Sequence, residues 1–141
     1  MSFTGEFRRT IDSKGRLIVP PQMREELEED EAVLVIAPDN CIEMHSGPGW
    51  RAYEQSLVEQ RRSKPQIRAV IRRISASAHA DQVDRQGRLH VPQNLRDYAG
   101  IEREVVIIGH LDRAEIWSPE RFEQAAVPQD EMAGFFAELE L

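Results

Sequence analysis

The sequence predicts a β-rich α+β fold that is internally duplicated. Two observations lead to this prediction: a motif that occurs twice at a constant offset, and short apolar strands that follow each copy. A run of helical periodicity after the first copy alone adds a helical extension between the halves. The length of 141 residues suits one compact domain or two very small ones.

The repeat lies in residues 11–24 and 83–96, which align at an offset of 72 residues. Both segments contain Asp-x-x-Gly-Arg-Leu-x-Val-Pro and end on arginine, and the same offset aligns residues 33–36 with 105–108 without a gap. A repeat of this kind indicates that the two segments form equivalent structural units, and the fold prediction depends on it. We therefore predict a first half with its helical extension over 1–74, a second half over 75–126 and a C-terminal tail over 127–141.

Each half has the same predicted elements. A polar-apolar strand leads through the Asp-x-x-Gly-Arg segment into a second strand, and Pro20 or Pro92 then opens a short helix. Gly100 is a typical helix stop. Two further strands, joined by connectors short enough for hairpins, are predicted in each half over 33–36 and 41–44, and over 105–108 and 114–117.

Two segments outside the repeat have helical periodicity. In the extension, an apolar face is interrupted at Lys64-Pro65, and it comprises Trp50, Tyr53, Leu57 and Val58 before the break and Ile67, Val70, Ile71 and Ile74 after it. In the tail, a short amphipathic helix weakened by Gly134 is predicted from Met132, Phe135, Phe136 and Leu139.

Charge and composition narrow the function. The net charge is −7, yet residues 61–96 hold nine basic and two acidic side chains, and residues 1–24 hold five and two. Segregated basic faces matter more for phosphate binding than the total charge. We expect a cytoplasmic protein with no membrane partner, because there is no long apolar run, no secretory start and only one cysteine, Cys41.

The segment Asp12-Ser13-Lys14-Gly15-Arg16 has the chemistry of a tight turn. Asp12 can accept backbone hydrogen bonds within the turn, and Gly15 supplies a positive φ. Lys14 then lies at the tip, and Arg16 can pair with Asp12 across the turn. Two interpretations stay open on the pattern alone: a hairpin with a surface salt bridge, or an oriented arginine for phosphate or the guanine edge.

The second copy repeats this arrangement with Asp84, Gly87 and Arg88, but it has Gln86 where the first has Lys14. The first turn is therefore more basic and is the better candidate. Because two-stranded ribbons fit the major groove, we predict DNA contacts from six residues, namely Lys14, Arg16, Arg8, Arg9, Arg85 and Arg88. The turns themselves are predicted to be structured by Asp12, Gly15, Asp84 and Gly87.

These residues resemble the MraZ family of bacterial transcriptional regulators, within the AbrB/MazE-like swapped-hairpin (SpoVT-AbrB) superfamily. The resemblance rests on the paired Asp-x-x-x-Arg motifs at 12–16 and 84–88, and it covers residues 1 to about 126. Further matching segments are Gly5-Glu6-Phe7 before the first motif and Glu115-Ile116-Trp117 after the second.

The resemblance implies a swapped-hairpin, double-split β-barrel-like fold. It also implies that identical subunits form a ring, an octamer or a dodecamer. Such a ring binds short direct repeats in double-stranded DNA, in the promoter of the cell-division and cell-wall operon. The family usually acts there as a repressor. The family's basic DNA-binding residues correspond to Lys14 and Arg16; the second motif departs from the first at Gln86.

No enzyme, cofactor or metal site is predicted. The histidines at 45, 79, 90 and 110 have no metal-ligand spacing, no nucleophile is paired with a base, and Cys41 lies in a strand pattern. One further group of side chains is basic and comprises Arg61, Arg62, Lys64, Arg68, Arg72 and Arg73. Three interpretations of this cluster stay open: a solvated helix face, a DNA contact, or a contact with the acidic run 25–31 of a neighbouring subunit.

A second function class fits part of the chain. An antitoxin of the same superfamily binds DNA and neutralises a toxin with its C-terminal tail, and the acidic, aromatic tail from Asp130 agrees with this hypothesis. Antitoxins of this kind generally carry one hairpin unit per chain, whereas this chain holds two. We therefore predict a sequence-specific DNA-binding regulator and keep the antitoxin as the alternative.

Overall fold

The computed structural model describes residues 2–141 and has an α+β architecture. The strands are β1 (Glu6–Thr10), β2 (Arg16–Ile18), β3 (Glu31–Ile36), β4 (Ile42–Ser46), β5 (His79–Gln82), β6 (Arg88–His90), β7 (Glu104–Gly109) and β8 (Ala114–Trp117). The helices are α1 (Pro21–Arg24), α2 (Gly47–Gln60), α3 (Pro65–Ser77), α4 (Gln93–Ala99), α5 (Pro119–Ala125) and α6 (Met132–Phe136). No helix in residues 2–141 has the length and apolar character needed to cross a bilayer.

The two halves are interleaved through their strands. Six strands form an antiparallel sheet in the order β1-β7-β8-β4-β3-β5, and β2 pairs with β6 in a separate two-stranded ribbon. In this order β1 of the first half pairs with β7 of the second, and β5 of the second half pairs with β3 of the first. The duplicated α+β fold predicted from the sequence is confirmed, and its halves exchange strands.

The pairing has an approximate two-fold symmetry. In the β4–β8 pair, Glu43 lies opposite Glu115, its own counterpart in the repeat. In the ribbon, Leu17 lies opposite its counterpart Leu89. Each half therefore meets the other through the same elements, as two chains do in an isologous dimer.

One core joins both halves. Its largest fully buried side chains include Leu17, Met23, Leu89, Leu95 and Ile107, with residues of both halves in one continuous cluster. A smaller cluster comprises Ala37, Cys41, Val106 and Trp117, with Phe122 packed against it. Because neither cluster belongs to one half alone, the halves stabilise each other.

The helical extension is two helices. Ser46 caps α2 by accepting a hydrogen bond from the Gly49 amide at 3.1 Å. The helical run is interrupted before the predicted Lys64-Pro65 step, and α3 begins at Pro65. Tyr53 and Leu57 are partly buried, whereas Val70 of α3 is exposed.

The C-terminal region has two helices, of which one was missed. Ser118 caps α5 by accepting a hydrogen bond from the Arg121 amide at 3.2 Å. The repeat offset aligns α5 with the start of α2, and this signal could have predicted it. The tail helix α6 is short, and its apolar side chains Phe135 and Phe136 are 56% and 55% exposed.

Candidate nucleic-acid interface

The first turn, residues 12–16, is organised by one carboxylate. Oδ1 of Asp12 accepts hydrogen bonds from the amides of Lys14 and Arg16, both at 2.9 Å. The Gly15 amide donates to the Asp12 carbonyl at 3.0 Å, and Gly15 has a φ of 79°. This left-handed conformation is where a glycine is favoured. Lys14 is exposed at the tip.

Asp12 also orients the side chain of Arg16. Nε of Arg16 donates to Oδ2 of Asp12 at 2.9 Å, while Nη1 and Nη2 have no hydrogen-bond partner among the described residues. The pKa of Asp12 is lowered, first by the backbone hydrogen bond from Arg16 and then by its guanidinium. The pair therefore stays ionised at neutral pH, and the two terminal nitrogens remain available to an acceptor.

The second turn, residues 84–88, repeats this geometry. Oδ1 of Asp84 accepts from the amides of Gln86 and Arg88 at 2.9 Å, and Oδ2 accepts from Nε of Arg88 at 2.7 Å. Gly87 has a φ of 82°. Arg85 and Gln86 are exposed at its tip. Both candidate arginines are thus held by the aspartate four residues before them.

Each turn is fastened to the opposite half. The Val19 amide donates to the Gly87 carbonyl, and the Val91 amide donates to the Gly15 carbonyl, both at 2.8 Å. The sequence predicts that each turn is the tip of a local hairpin, but the structure differs. The strands flanking the first turn meet only in the Ile11–Leu17 bridge, because β1 joins the large sheet and β2 joins the ribbon.

The ribbon brings the two arginines to one surface. Leu17 and Leu89 are buried beneath it, and neighbouring residues in a strand point to opposite faces. The outer face of the ribbon is therefore formed by Arg16, Ile18, Arg88 and His90, with Arg16 opposite His90 and Ile18 opposite Arg88. His90, which the repeat aligns with Ile18, is exposed on this face and was not among the residues predicted to contact DNA.

Arg8 and Arg9 lie elsewhere, on the edge strand β1 of the six-stranded sheet. Nη2 of Arg8 is 3.5 Å from a carboxylate oxygen of Glu6, and the guanidinium of Arg9 lies 5.5 Å from the ring centroid of Phe7. Both arginines precede the first turn along the chain but belong to a different sheet from Arg16.

The basic cluster lies in α3 and in the connector between α2 and α3, and is separate from the ribbon strands β2 and β6. Arg68 donates to the carbonyl of Ser63 at 3.1 Å, and the guanidinium of Arg73 lies 5.7 Å from the ring centroid of Tyr98. All six basic side chains of the cluster are exposed. Because they are exposed, these side chains can face solvent, contact DNA or contact a neighbouring subunit, and all three interpretations stay open.

A buried polar cluster occupies the middle of the large sheet. Glu43 accepts from Nη1 of Arg113 and contacts Nε2 of His45, both at 3.0 Å. Burial raises the pKa of the nearby Cys41 thiol, so it is a poor nucleophile. No group of side chains in residues 2–141 could hold a metal ion. The cluster neutralises a buried carboxylate and is structural in character.

Comparison with known proteins identifies the family. A family model described as "MraZ protein, putative antitoxin-like" matches the chain twice, over residues 2–73 and 74–138. A Transcriptional regulator MraZ from Moorella thermoacetica is 42% identical over 122 residues, which cover 86% of this chain and 85% of that protein. One from Alkaliphilus metalliredigens is 38% identical over 141 residues, covering 97% of this chain and 98% of the relative.

The two matches of the family model correspond to the duplication, and the resemblance drawn from the paired motifs is confirmed. The relatives carry the name of a transcriptional regulator, a non-enzymatic class, which confirms the prediction that the chain is not an enzyme. The chain belongs to the MraZ family.

Proposed function

We propose that this chain is a sequence-specific DNA-binding transcriptional regulator that uses its two Asp-x-x-Gly-Arg turns and the ribbon between them. The main support for this proposal is the outer face of the ribbon. There, Nε of Arg16 and Nε of Arg88 each donate to an aspartate, and no described residue pairs with the Nη atoms of either arginine. A fixed fork of this kind matches phosphate oxygens or the O6 and N7 atoms of guanine.

The shape of the ribbon supports major-groove binding. A two-stranded antiparallel ribbon is among the elements that fit the width of that groove. Lys14 and Arg85 are exposed at the tips of the two turns. Their positive charges can contact the backbone phosphates that flank the groove. Phosphate contacts from the tips then set the register, and the ribbon arginines read base edges.

Assembly gives the regulator its avidity. We propose that copies of the chain form a ring, an octamer or a dodecamer, through head-to-tail contacts. Neighbouring subunits of such a ring are related by rotation and present the same turn in the same direction. This arrangement suits direct repeats in DNA, because successive subunits meet successive repeats, and each added contact raises the overall affinity.

The gene target follows from the family resemblance. We propose that the protein works at the nucleoid and represses its own operon, in the cell-division and cell-wall cluster, by covering promoter direct repeats.

The antitoxin function remains the second candidate, because the tail exposes Met132, Phe135, Phe136 and Leu139 with four acidic residues after position 129. A toxin that co-purifies with the full chain and is released by deletion of residues 129–141 supports it. Purification without such a partner, together with binding to promoter DNA, supports the regulator.

The proposal is tested by footprinting and titration on a duplex from upstream of the protein's own gene. We expect protection of repeated short segments and a steep loss of affinity with salt, because each neutralised phosphate adds about −0.9 to the slope of log K against log salt. Lys14→Ala flattens this slope. A salt-insensitive complex, or equal binding to any duplex, contradicts the proposal.

A further inference from the structure

The two turns have equivalent backbones but unequal surroundings. Arg24 and Arg96 are counterparts in the repeat, and each lies near the turn of the opposite half. Nε and Nη2 of Arg24 donate to the two carboxylate oxygens of Asp30 at 3.0 Å and 3.3 Å. The arginine beside the second turn is therefore neutralised by a fork-to-fork ion pair.

Arg96 has no such partner. Its Nε donates to the carbonyl of Val91 at 2.9 Å, and no described carboxylate lies within ion-pair distance of its guanidinium. Nη2 lies 2.9 Å from the point that a Cβ on Gly15 would occupy. The positive charge of Arg96 is thus held directly against the first turn, although the residue belongs to the second half.

The adjoining segments enlarge this difference. Residues 25–31, near the second turn, contain six acidic side chains and no basic one. Their counterparts 97–103, near the first turn, contain two acidic side chains and Arg103. The carbonyl of Arg103 accepts from the Ile11 amide at 2.7 Å, which fastens this segment beside the first turn.

An open cleft connects these groups. It measures about 570 Å³ and is lined by residues of both halves, namely Thr10, Ile11, Asp12, Ser13, Arg96, Glu102 and Arg103. Glu102 forms no ion pair with either arginine within residues 2–141. The cleft therefore has two arginines free to meet an external anion, and it adjoins the turn that contains Lys14 and Arg16.

We propose that Arg96, assisted by Arg103, binds DNA phosphate beside the first turn, so that one DNA contact site is built from both halves of the chain. The inference rests on the proposed function, which it deepens by naming a phosphate-binding residue outside the two motifs. It also gives a reason for the first turn to bind DNA more strongly than the second, since the acidic segment 25–31 repels phosphate near Gly87.

The test separates charge from structure at position 96. Arg96→Lys keeps the positive charge, whereas Arg96→Gln removes it, and both lose the planar guanidinium that bonds to Val91. We expect similar melting temperatures for the two variants. Arg24→Lys and Arg24→Gln form the matched control pair at the counterpart position. Affinity is measured by fluorescence anisotropy across a salt series on the duplex from upstream of the protein's own gene.

We expect Arg96→Gln to bind several-fold more weakly than Arg96→Lys. Its slope of log K against log salt should be shallower by about 0.9 for each phosphate that Arg96 contacts. The Arg24 pair should differ little. Arg16→Ala is measured in the same assay as a marker of the proposed function.

Equal affinities and slopes for Arg96→Lys and Arg96→Gln, with binding lost in Arg16→Ala, overturn this inference and leave the turn assignment intact. Equal losses in Arg24→Gln and Arg96→Gln also overturn it, because the two turns would then be equivalent. Parent-like binding by Arg16→Ala instead contradicts the proposed function itself.

Discussion

Leu17 of β2 lies directly opposite Leu89 of β6, and each residue is the counterpart of the other in the internal repeat. Both side chains are buried, with 1% and 0% of their surface exposed. The contact lies on the approximate two-fold axis and supports the ribbon that presents Arg16 and Arg88. Stability and the candidate DNA surface therefore depend on the same pair of strands.

Leu89→Ala tests this dependence. Removing a fully buried leucine side chain costs about 2–5 kcal/mol of unfolding free energy. We expect a single, cooperative unfolding transition shifted by that amount, because both halves share one core. Ile18→Ala, on the 43% exposed side chain next to Leu17, is the control and should change stability little. A transition that splits into two would show that the halves unfold independently.

Gly15→Val and Gly87→Val test the left-handed turns. A β-branched residue resists a positive φ, so each variant should lose about 1–3 kcal/mol of stability. Gly15→Val should lose more, because its Cβ meets Nη2 of Arg96 at 2.9 Å, whereas the nearest atom at Gly87 is 3.6 Å away. Thermal melting measures both. Parent-like melting temperatures would show that neither glycine adopts this conformation in solution.

The backbone geometry of the turns depends on local sequence patterns. The spacing of Asp12 and Arg16 within five residues is enough to predict an ion pair across a tight turn, because the partners are close in sequence. The repeat likewise predicted the strands of the second half from those of the first. The break at Lys64-Pro65 followed from the missing amide of proline.

The surroundings of the turns could not be predicted in the same way. His90 and Arg96 reach the first turn only because β2 pairs with β6, which is a contact between distant segments. Once the ribbon register is known, the repeat predicts that both residues lie beside the first turn. The predicted domain boundaries at 74 and 126 stay a prediction, and the exchange of β1 and β5 makes each half incomplete without the other.

Asp12→Asn tests the charge on the turn carboxylate. Asparagine keeps an oxygen that can accept the Lys14 and Arg16 amides but removes the charge that pairs with the guanidinium. The folded-state pKa of Asp12 lies below its usual 3.8, so the charge stabilises the fold above that value and stops doing so as pH falls through the lowered pKa. We expect the parent to melt above the variant at pH 5–7, and the difference to vanish in stronger acid. A difference that is independent of pH contradicts this account.

Deletion of residues 129–141 tests the role of the tail. Its apolar side chains are exposed, and no atom beyond the adjoining residues and backbone of its own helix lies within 4 Å of the point that a Cβ on Gly134 would occupy. We therefore expect the truncated chain to melt like the parent and to remain a large oligomer by light scattering, with assembly through the folded halves. Collapse to monomers would make the tail the subunit interface, since an exposed apolar stripe commonly marks one.

The most direct test of the account is the DNA affinity of Arg16→Ala beside Arg88→Ala, on the duplex from upstream of the protein's own gene. A lost bidentate contact costs about 1–3 kcal/mol per subunit, and several subunits bind together. We predict that Arg16→Ala abolishes specific binding with an unchanged circular dichroism spectrum and oligomer mass, and that Arg88→Ala weakens it less. Unchanged affinity of a folded Arg16→Ala protein would contradict the assignment of the first turn as the DNA-binding element.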